Sequence, residues 1–247
     1  CCQRTFCRAP GPGATSDAGA YVPTGEQSLK LPAPLLRPSD PFPDPSRANR
    51  DGLVAITSDL TVERLLEAYP KGIFPWTENP VTWWSPDPRG ILPLDRLHVP
   101  RRLERTIRSQ KFRFTINQAF EEVIRGSAEP APGREQSWIG PLFLRSYTEL
   151  HRRGYAVSFE AWQGNRLAGG LYGLKVGRFF AGESMFTRVR DAGSAALVFA
   201  ARTLLAEGSQ LFDLQMVTPH TTRFGAMEVS RVNYLKLLQE AVRERIT

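Results

Sequence analysis

The run AVSFEAW, QGN, RLAGGLYGLKV, GR, FFAGESMF, residues 156–186, constrains the fold more than any other stretch. Three apolar segments are separated by very short Gly-containing breaks. That pattern predicts three antiparallel strands joined as a meander. Residues 191–207 follow with helical character, and LFDLQMV at 211–217 reads as a buried strand. A meander followed by a helix and another strand predicts an α+β protein.

The strand 211–217 carries Asp213 and Gln215. Side chains alternate along a strand, so both are expected on one face. Burying a carboxylate without a partner is costly, so an acid and an amide side by side in a core strand call for a reason. Glu183 ends another apolar strand between Gly182 and Ser184. Two acids in core strands point to a cation-binding pocket or a general base.

Upstream, SDLTVERLLEAYPKG predicts a helix capped by Ser58 or Asp59 and stopped at Gly72. The Trp- and Pro-rich segments IFPW and VTWWSPDPRGILPL predict short strands and turns. Residues 100–110 predict a basic helix, FRFTI a strand, and 117–126 a helix. A further helix ends at Gly154, a short one follows TPH, and a last one spans about 230–245. The expected organisation is a Pro-rich tail over 1–47 without fixed structure, a small amino-terminal domain over 48–115, and a larger carboxy-terminal domain over 116–247. Nine of the 20 prolines lie in that tail, which is why no packed structure is expected there.

The formal charge is +7, which favours a polyanionic partner, with nucleic acid the first candidate. Seven Lys or Arg stand against Asp95 and Glu104 over residues 95–113, and Arg101, Arg105 and Arg108 share a helix face. Trp76, Trp83, Trp84 and Trp138 lie in loop-like settings, where indoles stack bases or plug an interface. No run of about eighteen apolar residues exists, so no membrane span is expected. All three cysteines fall within the first seven residues, so no disulfide or cysteine nucleophile supports the fold. CCQRTFC lacks the second ligand pair of a zinc site. The histidines, His98, His151 and His220, lack metal-binding spacing. A reducing, cytoplasmic setting is expected. RDAGSA at 190–195 opens a helix in the manner of a pyrophosphate-binding loop, with Asp191 as a plain cap the alternative.

The segments AYPKGIFPW, WWSPDPRG, SWI, GGLYG, GESMF, DLQ, PHTTRFGA and SRVNYL occur in this order between residues 68 and 235. Together they resemble the leucyl/phenylalanyl-tRNA–protein transferase family. Departures are AITSDL at 55–60, where the family has a Gly-Gly-Asp-Leu run, and Val157 in place of a common His.

The resemblance implies a larger domain similar to the acyl-CoA N-acyltransferase fold, used without CoA or any other cofactor. The implied activity moves leucine or phenylalanine, with methionine plausible, from aminoacyl-tRNA to the amino-terminal Arg or Lys of a protein, which marks it for degradation. It implies a catalytic pair, Asp213 and Gln215, facing a substrate cleft at the sheet's edge, and an acceptor-binding acid, Glu183. It implies an aminoacyl pocket of Leu171, Met185, Leu197, Leu204, Phe212 and Leu214. It also implies an adenosine and substrate site at Trp76 and Trp138, and tRNA contacts at Arg101, Arg105 and Arg108. A monomer is expected. Two other readings stand beside this one: a CoA-dependent N-acetyltransferase and a non-catalytic RNA-binding module.

Overall fold

The computed structural model describes residues 33–130 and 137–243. Two sheets form. The smaller has the order β1–β3–β2, built from β1 (Leu53–Thr57), β2 (Phe74–Glu78) and β3 (Val81–Trp84), all antiparallel. α1 (Val62–Ala68) connects β1 to this hairpin. Its cap is Thr61, whose side chain accepts the Arg64 N–H, rather than Ser58 or Asp59. Gly72 ends the following 3-10 turn at φ +76°, a conformation that glycine adopts without a Cβ penalty.

Residues 33–47, expected to lack fixed structure, instead pack on this sheet. Leu36 N–H donates to Ile56 O at 2.8 Å, and Ile56 N–H donates to Pro34 O at 2.9 Å. Phe42 is buried edge-on to Trp83, with ring centres 4.7 Å apart. The buried Arg64 guanidinium donates to the carbonyls of Arg37 and Asp40. Proline-rich chain holds here because its carbonyls and one aromatic ring find partners, without any periodic pattern. The rest of the expected tail, residues 1–32, lies outside the described residues.

The larger sheet has the order β10–β4–β9–β8–β7–β6–β5. Its strands are β4 (Arg89–Leu92), β5 (Arg113–Ile116), β6 (Ala156–Gln163), β7 (Arg166–Val176), β8 (Phe179–Thr187), β9 (Leu211–Gln215) and β10 (Met227–Val229). The meander β6–β7–β8 forms as the sequence predicts, with turns at Gly164 and Gly177, each at φ +58°. Strand β10 was not legible, being three residues long. Only the β8–β9 pair is parallel, and α5 (Ala192–Ala206) makes the crossover between those strands. β4 and β5 precede residue 117 in the chain yet belong to this sheet, on either side of the meander.

Helices cover both faces. On one, α5 packs its Leu197 and Leu204 in a cluster with Leu171, Phe180 and Phe212, and α2 (Arg101–Arg108) adds Leu103. On the other lie α3 (Phe120–Ala128), α4 (Pro141–Arg152) and α7 (Arg231–Arg243), which bury Phe143, Tyr147 and Tyr234 against Tyr172, Phe179 and Ala181. The short α6 (Pro219–Thr222) starts with a reciprocal cap between Thr218 and Thr221. Among the described residues no helix is long and apolar enough to cross a membrane.

Candidate active site

The parallel pair β8–β9 is registered only from Phe179↔Leu211 to Ala181↔Asp213. Beyond that point the strands part. Both then carry an irregularity. In β8, Gly182 pairs with Gly173 and Ser184 with Tyr172, which leaves Glu183 as a bulge residue. In β9, Asp213 pairs with Ile91 and Gln215 with Gly90, which leaves Leu214 unopposed. Bulges re-aim side chains next to functional sites. Here they open a hollow lined by Phe74, Pro75, Trp76, Trp138, Glu183, Leu214, Gln215 and Met216.

Glu183 is the one acid in that lining. Tyr69 donates to its Oε1 at 2.6 Å and Tyr147 to its Oε2 at 3.1 Å. The two hydroxyls also meet each other at 2.5 Å. Gln215 Nε2 approaches Oε1 at 3.4 Å. Burial pushes the Glu183 carboxyl up to about 8, against the opposing pull of the two tyrosine hydrogen bonds. Burial, reinforced by Glu183, likewise holds Tyr69 and Tyr147 far above the ordinary phenol value, so both stay donors. Burial thus favours the neutral form of this acid, while a cation placed beside it would favour the ionised form.

Asp213 does not face the hollow, contrary to the expectation from strand alternation. It is fully buried, and both oxygens are engaged. Arg89 donates through Nε to Oδ1 at 2.9 Å and through Nη2 to Oδ2 at 2.6 Å. Tyr234 OH donates to Oδ2 at 2.9 Å, and the Gln215 backbone N–H to Oδ1 at 2.8 Å. The Arg89 guanidinium lies over the rings of Phe74 and Tyr234 and also donates to Gly72 O at 3.2 Å. Burial is the largest single influence and would push Arg89 down, but the Asp213 charge, its hydrogen bonds and the neighbouring Tyr234 and Tyr69 together outweigh it and hold the guanidinium above its ordinary value. Alternation fails because Gln215 leaves the extended conformation, at φ +58°.

Arg89, Tyr69, Tyr147 and Tyr234 were not singled out from the sequence. A signal existed for Arg89: it is the only charge in the short strand RGIL, and a buried acid needs a cation somewhere.

The six aminoacyl-pocket candidates share one apolar cluster on the α5 face. Leu171, Leu197, Leu204 and Phe212 are buried there, Met185 and Leu214 are partly open, and Leu214 alone of the six lines the hollow. Trp76 and Trp138 both line the hollow, Trp76 edge-on to Trp84 and Trp138 edge-on to Phe143. Glu78 on β2 accepts the Phe143 N–H at 2.9 Å, which anchors the start of α4 just after Trp138. On α2, Arg101 and Arg105 are exposed and unpaired among the described residues, whereas Arg108 pairs with Glu104 at 3.1 Å.

In the RDAGSA turn the Ala192 N–H donates to Val189 O at 3.0 Å and the Ala195 N–H to Asp191 O at 2.8 Å. Asp191 sits at φ +73° and makes no capping hydrogen bond, and Gly193 is packed so closely that a Cβ would lie 2.7 Å from Phe186 O. Among the described residues no group of three or more His, Cys, Asp or Glu is placed to hold a metal ion.

Fold and site together define a mixed α+β protein with a hollow at parting parallel strands, where a neutral acid, an amide and two indoles converge beside an apolar cluster. The chain belongs to the leucyl/phenylalanyl-tRNA protein transferase family. The family's main domain matches residues 91–239, and its amino-terminal domain matches residues 58–87.

Similar proteins include the leucyl/phenylalanyl-tRNA–protein transferase of Nitratidesulfovibrio vulgaris (strain DP4), 50% identical over 82% of this chain and 88% of that protein. That of Anaeromyxobacter dehalogenans (strain 2CP-C) is 49% identical over 85% of this chain and 93% of the relative. That of Chromobacterium violaceum is 45% identical over 85% and 92%. Among solved structures, L-PGS from Bacillus licheniformis overlaps with a TM-score of 0.37 at 10% identity, over 65% of this chain and 52% of that one, too partial to assign a fold.

Proposed function

We propose that the chain carries out the reaction its family is named for, moving leucine or phenylalanine from aminoacyl-tRNA to a protein. The acceptor is an amino-terminal Arg or Lys. The amine attacks the ester carbonyl, a C–N bond forms, the C–O bond to the ribose breaks, and the tRNA hydroxyl leaves with a proton. The ester is already activated, so holding the two partners together supplies much of the rate.

The carrying observation is Glu183, a buried acid held by two tyrosine hydroxyls in a hollow lined besides by the Gln215 amide and by aromatic and apolar side chains, where burial raises its carboxyl to about 8. A cationic acceptor would ionise it and gain a charge-assisted hydrogen bond. An acceptor ending in Ala gains none. In this reading Gln215, beside Glu183, orients the amine, and Asp213 acts through Gln215. Met185 and Leu214 border the slot for the aminoacyl side chain, with Leu171, Leu197, Leu204 and Phe212 as its packed wall. An adaptable wall of Met and Leu separates similar apolar groups only modestly, so methionine would also be accepted. Trp76 and Trp138 receive the terminal adenosine, and Arg101, Arg105 and Arg108 meet acceptor-stem phosphates. The parallel crossover through α5 is the feature that favours an acyltransferase-like catalytic domain. Contacts to phosphate carry no base information, so any suitably charged tRNA would serve.

The test is transfer of labelled leucine from charged tRNA to peptides ending in Arg, Lys or Ala. Incorporation into the first two and not the third is expected. Equal labelling of all three would refute the role of Glu183, and no labelling would refute the activity.

A further inference from the structure

We infer that Arg89 is a positioning residue for aminoacyl transfer, holding through Asp213 the left-handed turn that aims Gln215 into the hollow. The inference rests on the transferase reading above and names a residue that reading did not need. Its starting point is local geometry. Met216 N–H donates to Leu214 O at 2.6 Å, closing a three-residue turn whose central residue, Gln215, has φ +58°. A turn of that hand is rare and strained for a residue with a side chain. Such strain persists only where the surroundings over-determine it, and it gathers at functional sites.

The surroundings here are specific. Asp213 Oδ1 accepts the Gln215 N–H at 2.8 Å, so the carboxylate grips the strained residue by its backbone. Arg89 grips the same carboxylate with two parallel donors, a planar fork that fixes orientation as well as charge. Gly72 O accepts from Nη1 of the same guanidinium, and Tyr234 OH binds Asp213 Oδ2. Gln215 is paired with Gly90, next in sequence to Arg89, so brace and turn share one strand contact. The chain of contacts runs from Arg89 to Asp213 to the Gln215 backbone, and ends with the Gln215 amide 3.4 Å from Glu183. A residue wanted only for stability would not need a two-pronged grip on the one acid that holds a strained turn.

Two variants test this. Arg89→Lys keeps the buried charge but replaces the fork with a single point donor. Arg89→Met combined with Asp213→Leu removes both charges, a replacement that buried ion pairs tolerate in folding. Both are assayed well below their unfolding midpoints, with amide exchange at Gln215 measured alongside. In each folded variant kcat for an Arg-ended peptide is expected to fall about tenfold or more, with KM for charged tRNA unchanged and Gln215 exchange accelerated. Should one variant fail to fold, the other supplies the same readouts. A folded variant with wild-type kcat and a protected Gln215 amide would overturn the inference. If the wild-type protein itself transferred nothing, the transferase reading would fall first and this inference with it.

Discussion

The centre around Glu183 and Asp213 and the outer face of α2 both concentrate charge, yet they handle it in opposite ways. At the centre each ionisable group is buried and tied to named partners: Asp213 to Arg89 and Tyr234, Glu183 to Tyr69 and Tyr147. On α2, Arg101 and Arg105 stand in solvent with no partner among the described residues. Buried charge is organised by geometry and is intolerant of losing one member. Exposed charge acts as a field, screened by salt and spread over several side chains. The same +7 chain thus holds a buried centre of paired groups and an exposed basic face whose Arg101 and Arg105 charges stand alone among the described residues.

The comparison breaks most visibly at Asp213. Asp213→Ala strands the Arg89 guanidinium in a fully buried position and should cost about 3–5 kcal/mol, read from urea unfolding. A loss under about 1 kcal/mol would mean that the ion pair is worth no more than one at the surface.

Glu183 gives the next largest effect, and its sign is definite. Its folded-state value near 8 lies above the 4.5 of an ordinary glutamate, so the folded protein retains a proton that the unfolded chain releases. The stability this proton contributes is present below the ordinary value and declines as pH rises toward 8. Glu183→Gln, uncharged throughout, should gain on the wild type across that window by at most about 1.4 kcal/mol per pH unit. Thermal unfolding at pH 5, 6.5 and 8 measures the divergence, and parallel curves would refute a buried neutral acid. The same variant should lower kcat/KM for an Arg-ended peptide by about tenfold to a hundredfold, the worth of one hydrogen bond to a charged group.

The smallest stability effect is expected on α2. Arg101→Ala with Arg105→Ala should change stability by no more than about 0.5 kcal/mol. It should instead weaken tRNA binding at all sequences and flatten its salt dependence by about one unit for each phosphate no longer neutralised. An unchanged salt slope would make these arginines a merely solvated face.

Local pattern carried most of the fold. Turn glycines and alternating apolar residues marked the meander, and helical spacing marked α5 and α7. What stayed hidden was pairing over long sequence distance. Arg89 and Asp213 are 124 residues apart, and nothing near either one announces the other. The bend at Gln215 was also illegible, because strand alternation assumes that the extended conformation continues. The residues around the hollow were legible as a set, through Trp76, Trp138, Glu183, Leu214 and Gln215. Their mutual arrangement was not, since it depends on two bulges that periodicity does not encode.

The segment 33–47 has a consequence for the outer edge of β1. β3 occupies one side of β1, and the bridge at Leu35 occupies the other, taking up both main-chain groups of Ile56. Stripped of that strap, β1 would become an open ribbon edge, with Ile56 offering an unsatisfied donor and acceptor to any passing extended chain. A proline-rich stretch suits the task, because a backbone short of N–H groups can seal an edge without presenting a fresh one of its own.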